Sequence, residues 1–259
     1  MSRVAKAIAN ANTERRGALV GYLPIGFPSL EESVAAAIAL VESGVDVLEL
    51  GIPYSDPVMD GPVIQAATSA ALERGFRLRD TFTAVNAITA EVDAPVLVMT
   101  YFNPVLQYGV DRFAADLAAA GGAGLITPDL IPEEAGEWLA SAEAHDLDRV
   151  FLVAPSSTDQ RLAGAIQASR GFVYTVSTMG ITGARADVDR AAHLLVNRLR
   201  ELDVPATCVG VGISTGTQVR DVLAYADGAI VGSALVSALD AGGVQAVRAL
   251  AEELASGTR

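Results

Sequence analysis

Short apolar segments alternate with amphipathic helical patterns along the chain, and this alternation restricts the fold more than any other feature. Eight segments are nearly continuous in Val, Leu and Ile, which is typical of parallel strands buried on both faces. They lie at residues 18–26, 45–52, 95–101, 124–129, 150–155, 172–177, 207–213 and 228–233. Because a parallel strand reaches its neighbour through a long crossover, helices between successive strands predict a parallel sheet.

The helical patterns separate these strands, and several begin with capping residues such as Ser29 and Thr158. They lie at 30–43, 62–74, 80–91, 110–120, 132–145, 158–169, 187–202, 217–224 and 244–255. This order predicts an α/β fold, a (β/α)8 TIM barrel forming one domain over residues 1–259. An extra N-terminal helix at 4–12 is expected to close the bottom of the barrel. A doubly wound open sheet is the alternative, but no G-x-G-x-x-G follows the first strand.

The scarce residue types argue against several chemistries. Lys6 is the only lysine and lies in the N-terminal helix, which argues against a Schiff-base enzyme or a covalently held pyridoxal phosphate. Two histidines and one cysteine leave little material for a metal site, a Ser-His-Asp triad or an internal disulfide. We therefore expect neither a metal nor a cofactor in this chain.

Charge and hydropathy restrict the partners. The chain has 18 Lys and Arg against 31 Asp and Glu, a formal charge of −13, which argues against a nucleic-acid surface. The N-terminus has no apolar signal-peptide core, and no apolar run reaches the length of a membrane span. These features predict a cytoplasmic protein that binds neither nucleic acid nor membrane.

Two acidic residues near the second strand are candidate catalytic groups, because barrel active sites lie at the C-terminal ends of the strands. Glu49 interrupts an apolar buried run, where an unpaired carboxyl tends to keep its proton. Asp60 lies in the following loop. If both acids reach one cavity, one could be protonated and the other ionised. The alternatives are a Glu49 carboxylate satisfied by backbone amides or an arginine, and an Asp60 that caps the next helix.

Glycine-rich turns after the seventh and eighth strands predict a phosphate site, with Gly212 in the first turn and Gly232 and Ser233 in the second. Simple tight turns are the alternative. The glycine-rich loop at 177–185 could be a mobile lid or an ordinary surface loop. Side chains near other strand ends could line a pocket, although each could instead be core: Tyr22, Tyr101, Phe102, Ile126 and Tyr174.

Five runs of sequence together resemble the tryptophan synthase α subunit family, and the likeness extends from Gly21 to the last helix. The runs are LELGIPYSDPVMDGPVIQ (48–65), MTYFNP (99–104), GFVYTVSTMGITGAR (171–185), GVGIS (210–214) and VGSALV (231–236). The resemblance implies retro-aldol cleavage of indole-3-glycerol phosphate to indole and glyceraldehyde 3-phosphate. It implies that Glu49 and Asp60 are the acid–base pair and that Tyr174 is a supporting hydrogen-bond partner.

The resemblance also implies how substrate and partner are held. Gly183, Gly212, Gly232 and Ser233 would cradle the phosphate, Thr182 would order the lid against Asp60, and Tyr22, Tyr101 and Ile126 would lie along the indole. The family passes indole to a pyridoxal-phosphate β subunit in an α2β2 heterotetramer, with residues 53–59 and 103–109 as the expected contact surface. This chain departs from the usual family pattern at Tyr22, Thr178 and Val211.

Three other functions remain open at this point. A lyase that releases indole without a partner would use the same residues. A sugar-phosphate epimerase or isomerase on the same barrel often needs histidine metal ligands or a lysine, both scarce here. A non-catalytic phosphate-ligand module would be expected to have the glycine turns without Glu49 and Asp60.

Overall fold

Eight parallel strands close into a barrel in which each strand pairs with its neighbours in the sequence and β8 pairs with β1. The computed structural model describes residues 1–176, 185–210 and 212–259, with side chains from 190 onward in the second range. The strands are β1 Ala18–Pro24, β2 Val47–Gly51, β3 Val96–Met99, β4 Gly124–Thr127, β5 Asp148–Val153, β6 Val173–Val176, β7 Thr207–Gly210 and β8 Gly228–Val231. The predicted TIM-barrel fold is therefore confirmed.

Helices surround the barrel and complete the crossovers. They are α1 Arg3–Thr13, α2 Leu30–Glu42, α3 Pro62–Glu73, α4 Leu78–Glu91, α5 Phe102–Tyr108, α6 Val110–Ala119, α7 Gly136–Ala144, α8 Asp159–Ala168, α9 Arg185–Glu201, α10 Gly216–Leu223 and α11 Ser233–Ser256. A short 3-10 turn, Pro132–Glu134, precedes α7. Most bounds lie within a few residues of the predicted ones.

The side chains of each strand alternate between two apolar clusters. Those facing outward pack under the helices, whereas those facing inward fill the barrel interior. The inward cluster includes Val20, Val47, Leu97 and Val150. Register places Tyr22 of β1 beside Glu49 of β2, so the interior becomes polar towards the C-terminal rim.

Helix α1 closes the other end, as predicted. Ser2 caps it by accepting the N–H of Ala5, and its buried face contributes Val4, Ile8 and Ala11 to the interior cluster. Because these three side chains pack against strand residues inside the barrel, the floor is filled with apolar groups.

Helix α11 is the one helix in the described ranges that is long and apolar enough, by length and composition, to cross a membrane. The helix is interrupted at Gly242 and Gly243, where φ is −149° and +62°. Leu235, Leu239 and Leu254 on its inner face are buried in the protein core. These two features are those of a kinked helix packed on the barrel.

The predicted strands extend two or three residues beyond most of the observed C-terminal ends. The overshoot covers Tyr101, Ile213 and Ser233, which follow β3, β7 and β8 in rim loops or at a helix start. Helix α5 was not predicted, because Pro104 and only seven residues give little helical periodicity. Pro104 fits there since it occupies the first helical turn, where an N–H would have no intrahelical acceptor.

Candidate active site at the C-terminal rim of the barrel

Glu49 lies inside the barrel near the rim, where water does not reach its carboxyl group. The residue is 1% exposed, and Oε2 has no hydrogen-bond partner within the described ranges. Burial, together with the nearby charge of Asp60, raises the pKa of Glu49 to about 8. Glu49 is therefore mainly protonated at neutral pH. The alternative in which amides or an arginine satisfy this carboxylate finds no support among the described contacts.

Asp60 lies in the loop between β2 and α3, and its backbone is held from two sides. The hydroxyl of Tyr101 accepts the N–H of Met59 at 2.8 Å, and Nε2 of Gln65 donates to the carbonyl oxygen of Asp60 at 2.8 Å. Partial burial raises the pKa of the Asp60 carboxyl above its ordinary value. The helix-cap alternative is wrong, because Gly61 is the N-cap of α3 and no side chain caps it.

Tyr22 fits into the interior because glycines lie beside it. A Cβ at Gly51 would come within 2.2 Å of the Tyr22 hydroxyl, and one at Gly232 would lie 3.4 Å from its ring. Burial, followed by the charges of Asp60 and Glu49, raises the pKa of Tyr22 well above its ordinary value. Tyr22 is therefore a neutral phenol beside both acids.

Tyr174 of β6 approaches the same carboxyls from another side of the barrel. Its hydroxyl lies near Gly210, where a Cβ would be 3.0 Å away. Burial is the first cause of its strongly raised pKa, and the charge of Glu49 is the second. Ile126, fully buried on β4, belongs to the same interior cluster. The structure thus brings the described pocket residues together.

The glycine turns present backbone N–H groups at the rim. Gly212 has φ of +70°, a left-handed conformation that favours glycine. A Cβ placed at this residue would have no described atom within 4 Å, so the space beside its backbone is open. Gly232 precedes α11 and provides no side-chain cap, while Ser233 is the first residue of that helix. The N–H of Leu235 donates to the carbonyl oxygen of Gly232, so the N–H groups of Ser233 and Ala234 are the ones available to an anion.

Several predicted residues lie outside the described residues. These are Thr182 and Gly183, predicted to bind substrate, together with Thr178, Val211 and nearly all of the predicted lid. Within the described ranges, no group of three or more His, Cys, Asp or Glu side chains could hold a metal ion.

Gln65 and Tyr54 join the site's support without having been singled out from the sequence. Gln65 contacts the loop that carries Asp60, and the ring of Tyr54 lies 5.2 Å from that of Tyr101. Asn103 Nδ2 donates to the Tyr54 hydroxyl at 3.3 Å. The one available signal for Gln65 was its place in the first turn of the helix after Asp-Gly-Pro, from which a carboxamide can reach backwards.

A second cleft, of about 670 Å³, lies at the N-terminal end of the barrel and includes Arg149 and Arg170 in its lining. Arg170 pairs with Asp146 at 2.5 Å and with the buried Asp148 at 3.0 Å. These pairs neutralise its charge. The acid pair lies at the opposite end, so this cleft is separate from the candidate active site.

Comparison with known proteins agrees with this geometry. A profile of the family described as tryptophan synthase alpha chain matches residues 8–258. The chain is 67% identical over 257 residues to the tryptophan synthase alpha chain of Leifsonia xyli, covering 99% of this chain and 98% of the relative. It is 57% identical to that of Mycobacterium tuberculosis, covering 100% and 95%.

Solved structures give the same result. The aminoacrylate-bound tryptophan synthase from M. tuberculosis matches with a TM-score of 0.93 and 53% identity, covering 100% of each chain. The tryptophan synthase complex from Pyrococcus furiosus matches with a TM-score of 0.85 and 34% identity, covering 93% of this chain and 98% of that one. The chain therefore belongs to the tryptophan synthase alpha chain family, lyases that cleave indole-3-glycerol phosphate to indole, which passes to a β subunit.

Proposed function

We propose that Glu49 is the general acid and Asp60 the anionic partner in the cleavage of indole-3-glycerol phosphate by this chain. The observation that carries the proposal is the buried Glu49 carboxyl, whose pKa of about 8 reflects burial and the nearby Asp60. A general acid is most effective when its pKa lies near the working pH. The two acids therefore suit different protonation states in one pocket.

The reaction needs two proton movements at the indole side chain, and Glu49 can perform both. Protonated Glu49 first delivers its proton to indole C3, which leaves positive charge at N1. The bond between C3 and the side-chain carbon then breaks, and its electron pair restores the aromatic ring. Glu49 takes the proton of the hydroxyl on that carbon, which becomes the aldehyde of glyceraldehyde 3-phosphate. The acid is thus regenerated within one turnover.

Asp60 would act on the ring nitrogen. An ionised carboxylate that accepts the N1–H stabilises the positive charge that develops there, and it does so best in a pocket that excludes water. Burial raises the pKa of Asp60 as well, but Asp60 is half-buried whereas Glu49 is 1% exposed, so burial disfavours the ionised form of Asp60 less. This ordering of the two acids supports the assigned roles.

The neutral phenols would orient the reacting groups. Tyr174 approaches the Glu49 carboxyl and can donate a hydrogen bond to it or to the substrate hydroxyl. Tyr22, Tyr101 and Ile126 present ring faces and apolar atoms suited to an indole. Tyr22 adds a hydroxyl beside both acids.

The phosphate would bind at the start of α11, with Gly212, Gly232 and Ser233 around it. The N–H groups of Ser214 and Thr215 already donate to Oε1 of Gln218, so that part of the β7 turn offers little to a phosphate. The start of α11 is the better anion site, because the N–H groups of Ser233 and Ala234 have no described acceptor. Thr182 and Gly183 are assigned to the lid and phosphate by resemblance alone.

The β subunit is expected to cover the rim at residues 53–59 and 103–109. Val58 and Leu106, in these two segments, are 80% and 50% exposed. Exposed apolar side chains grouped at one end of a molecule are typical of a protein interface. We assign pyridoxal phosphate to that partner alone, and we infer a cytoplasmic location because the pathway's substrates are soluble metabolites.

Substitution of the proposed acid tests this function. The parent chain should release indole from indole-3-glycerol phosphate, and Glu49→Gln should lower kcat at least a hundredfold while KM stays within about threefold. The measurement is a spectrophotometric indole assay, run with and without an added β subunit.

Glu73→Gln, an exposed change at the end of α3, is the matched control and should keep parental kinetics. Equal turnover by Glu49→Gln and the parent would remove Glu49 from the mechanism. Release of indole at a full rate without the β subunit would favour the stand-alone lyase. Binding of the substrate without cleavage under either condition would favour a non-catalytic module.

A further inference from the structure

The segment that carries Asp60 has little backbone support of its own. Between Ile52, which donates its N–H to Met99 of β3, and Gly61, which accepts the N–H of Gln65, the described loop residues donate no backbone–backbone hydrogen bond. A loop of this kind keeps one conformation only if side chains hold its peptide groups. The contacts that fix residues 57–60 therefore decide where the Asp60 carboxyl lies.

Two side chains supply these contacts. The hydroxyl of Tyr101 accepts the N–H of Met59. It also accepts the N–H of Asp60, and this contact lowers the pKa of Tyr101. Gln65 Nε2 donates to the carbonyl oxygens of Asp60, at 2.8 Å, and of Pro57, at 3.4 Å. Asp60 is thus held at its N–H by Tyr101, which directly precedes α5, and at its C=O by Gln65 of α3.

We propose that Gln65 is a positioning residue for Asp60, and that its carboxamide closes the turn over residues 58 and 59 so that the Asp60 carboxylate faces the pocket. The proposal rests on the role assigned to Asp60 above. Gln65 is on the exposed side of α3, and among the described residues its side chain donates hydrogen bonds to the loop carbonyls of Pro57 and Asp60. Tyr101 differs, because it also lines the pocket.

The residue type matters for a chemical reason. A primary amide carries two N–H donors on one nitrogen, so it can hold two carbonyl oxygens at once. Methionine has nearly the same length but no donor. Glutamate has the same shape, but its negative charge would be repelled by both carbonyl oxygens. The two substitutions therefore separate the hydrogen bonds from the space that the side chain fills.

Kinetics of these variants test the proposal. Gln65→Met should lower kcat roughly five- to twentyfold, as expected for one or two neutral hydrogen bonds, with KM within about threefold of the parent. Gln65→Glu should be more severe. Gln245→Met, an exposed change on α11, is the matched control and should keep parental kinetics. Melting temperatures measured in parallel should stay within about 2 °C for all three, since each site is exposed.

A double-mutant cycle distinguishes positioning from an independent effect. If Gln65 acts through Asp60, adding Gln65→Met to Asp60→Asn should lower the residual kcat by less than twofold. Parental kcat in Gln65→Met, or the same loss in both backgrounds, would overturn the proposal while leaving the role of Asp60 intact. Parental activity of Asp60→Asn would instead reject the proposed function, and the role of Gln65 with it.

Discussion

The carboxyl group of Glu49 is held in a position that disfavours its own ionisation. It lies on a strand whose other residues are buried and apolar, and the charge of Asp60 adds to the cost. A group of this kind weakens the fold as the pH rises, because the ionised form is poorly solvated. The same burial keeps Glu49 protonated at neutral pH. The fold therefore loses stability at the residue that we propose as the general acid.

The pH dependence of stability follows from the direction of this shift. The folded-state pKa of about 8 exceeds the ordinary glutamate value of 4.5, so the folded protein binds an extra proton between these values and loses stability as the pH rises. Glu49→Gln keeps the shape without the charge. Its advantage over the parent in free energy of unfolding should grow by roughly 3 kcal/mol between pH 5.5 and 8. Urea titrations of both proteins at both pH values measure this difference in free energy of unfolding. A difference that is the same at pH 5.5 and 8 would contradict the raised pKa of Glu49.

At the scale of elements, α5 both adjoins the support of the Asp60 loop and presents an apolar side chain to solvent. Helix α5 begins at Phe102, whose N–H donates to both carboxylate oxygens of Asp129 at 2.9 and 3.1 Å. This contact ties the helix to the segment after β4, and the adjacent Tyr101 supports the Asp60 loop. The outer face of α5 presents Leu106 to solvent. A partner bound to α5 would therefore contact the helix that follows Tyr101, the residue that supports the Asp60 loop.

Leu106→Asp tests the expected partner surface. An exposed leucine contributes little to the fold, so the melting temperature should stay within about 2 °C of the parent. A charge buried in an apolar interface is costly, and the affinity for the β subunit should fall at least tenfold. Isothermal titration calorimetry against the β subunit measures this affinity. The exposed Leu194→Asp on α9 is the control and should keep the parental affinity. Parental affinity in Leu106→Asp as well would exclude α5 from the interface.

Sequence periodicity predicted most elements because parallel barrel strands are continuous apolar runs and their helices carry one apolar face. It failed where these signals are weak. Helix α5 is short and contains Pro104, and the strand ends were placed too far because rim residues such as Tyr101 and Ile213 are buried although they lie outside the ladder.

The candidate site was predictable to the extent that a residue looked out of place. Glu49 is an acid in an apolar strand, and Asp60 was placed by its loop and by the family resemblance. Gln65 left almost no trace, since a glutamine in the exposed first turn of a helix is unremarkable until the carbonyl groups it contacts are known. Roles that depend on backbone positions in a loop cannot be read from residue types.

At the scale of the whole molecule, α11 packs the C-terminal end of the chain against its N-terminal half. This helix follows β8 and packs on β1, α2, α3 and α10, so the two ends of the chain are joined through one apolar layer. The inward cluster is shared by all strands in the same way. The assignment of residues 1–259 to a single domain stays a prediction, and it implies that a core organised like this unfolds as one unit.

Leu239→Ala on α11 tests this cooperativity. The side chain is 1% exposed, and its loss should lower the free energy of unfolding by about 2–4 kcal/mol. Near-UV and far-UV circular dichroism should follow one urea transition in the parent and the variant. Ala241→Gly, at an exposed position next to the break in α11, is the control for backbone effects alone. An early transition confined to one probe would indicate separate folding units.

Helix α1 gives the barrel a sealed base, with Val4, Ile8 and Ala11 packed among the strand side chains. In the part of the chain that the structure describes, a small product formed beside Glu49 faces packed hydrocarbon below it and the mouth above it. Among the described residues, substrate and product would therefore pass through the same opening at the C-terminal rim. A β subunit bound over that opening would receive the product directly instead of water. The base closed by α1 would then leave the product no exit at the other end.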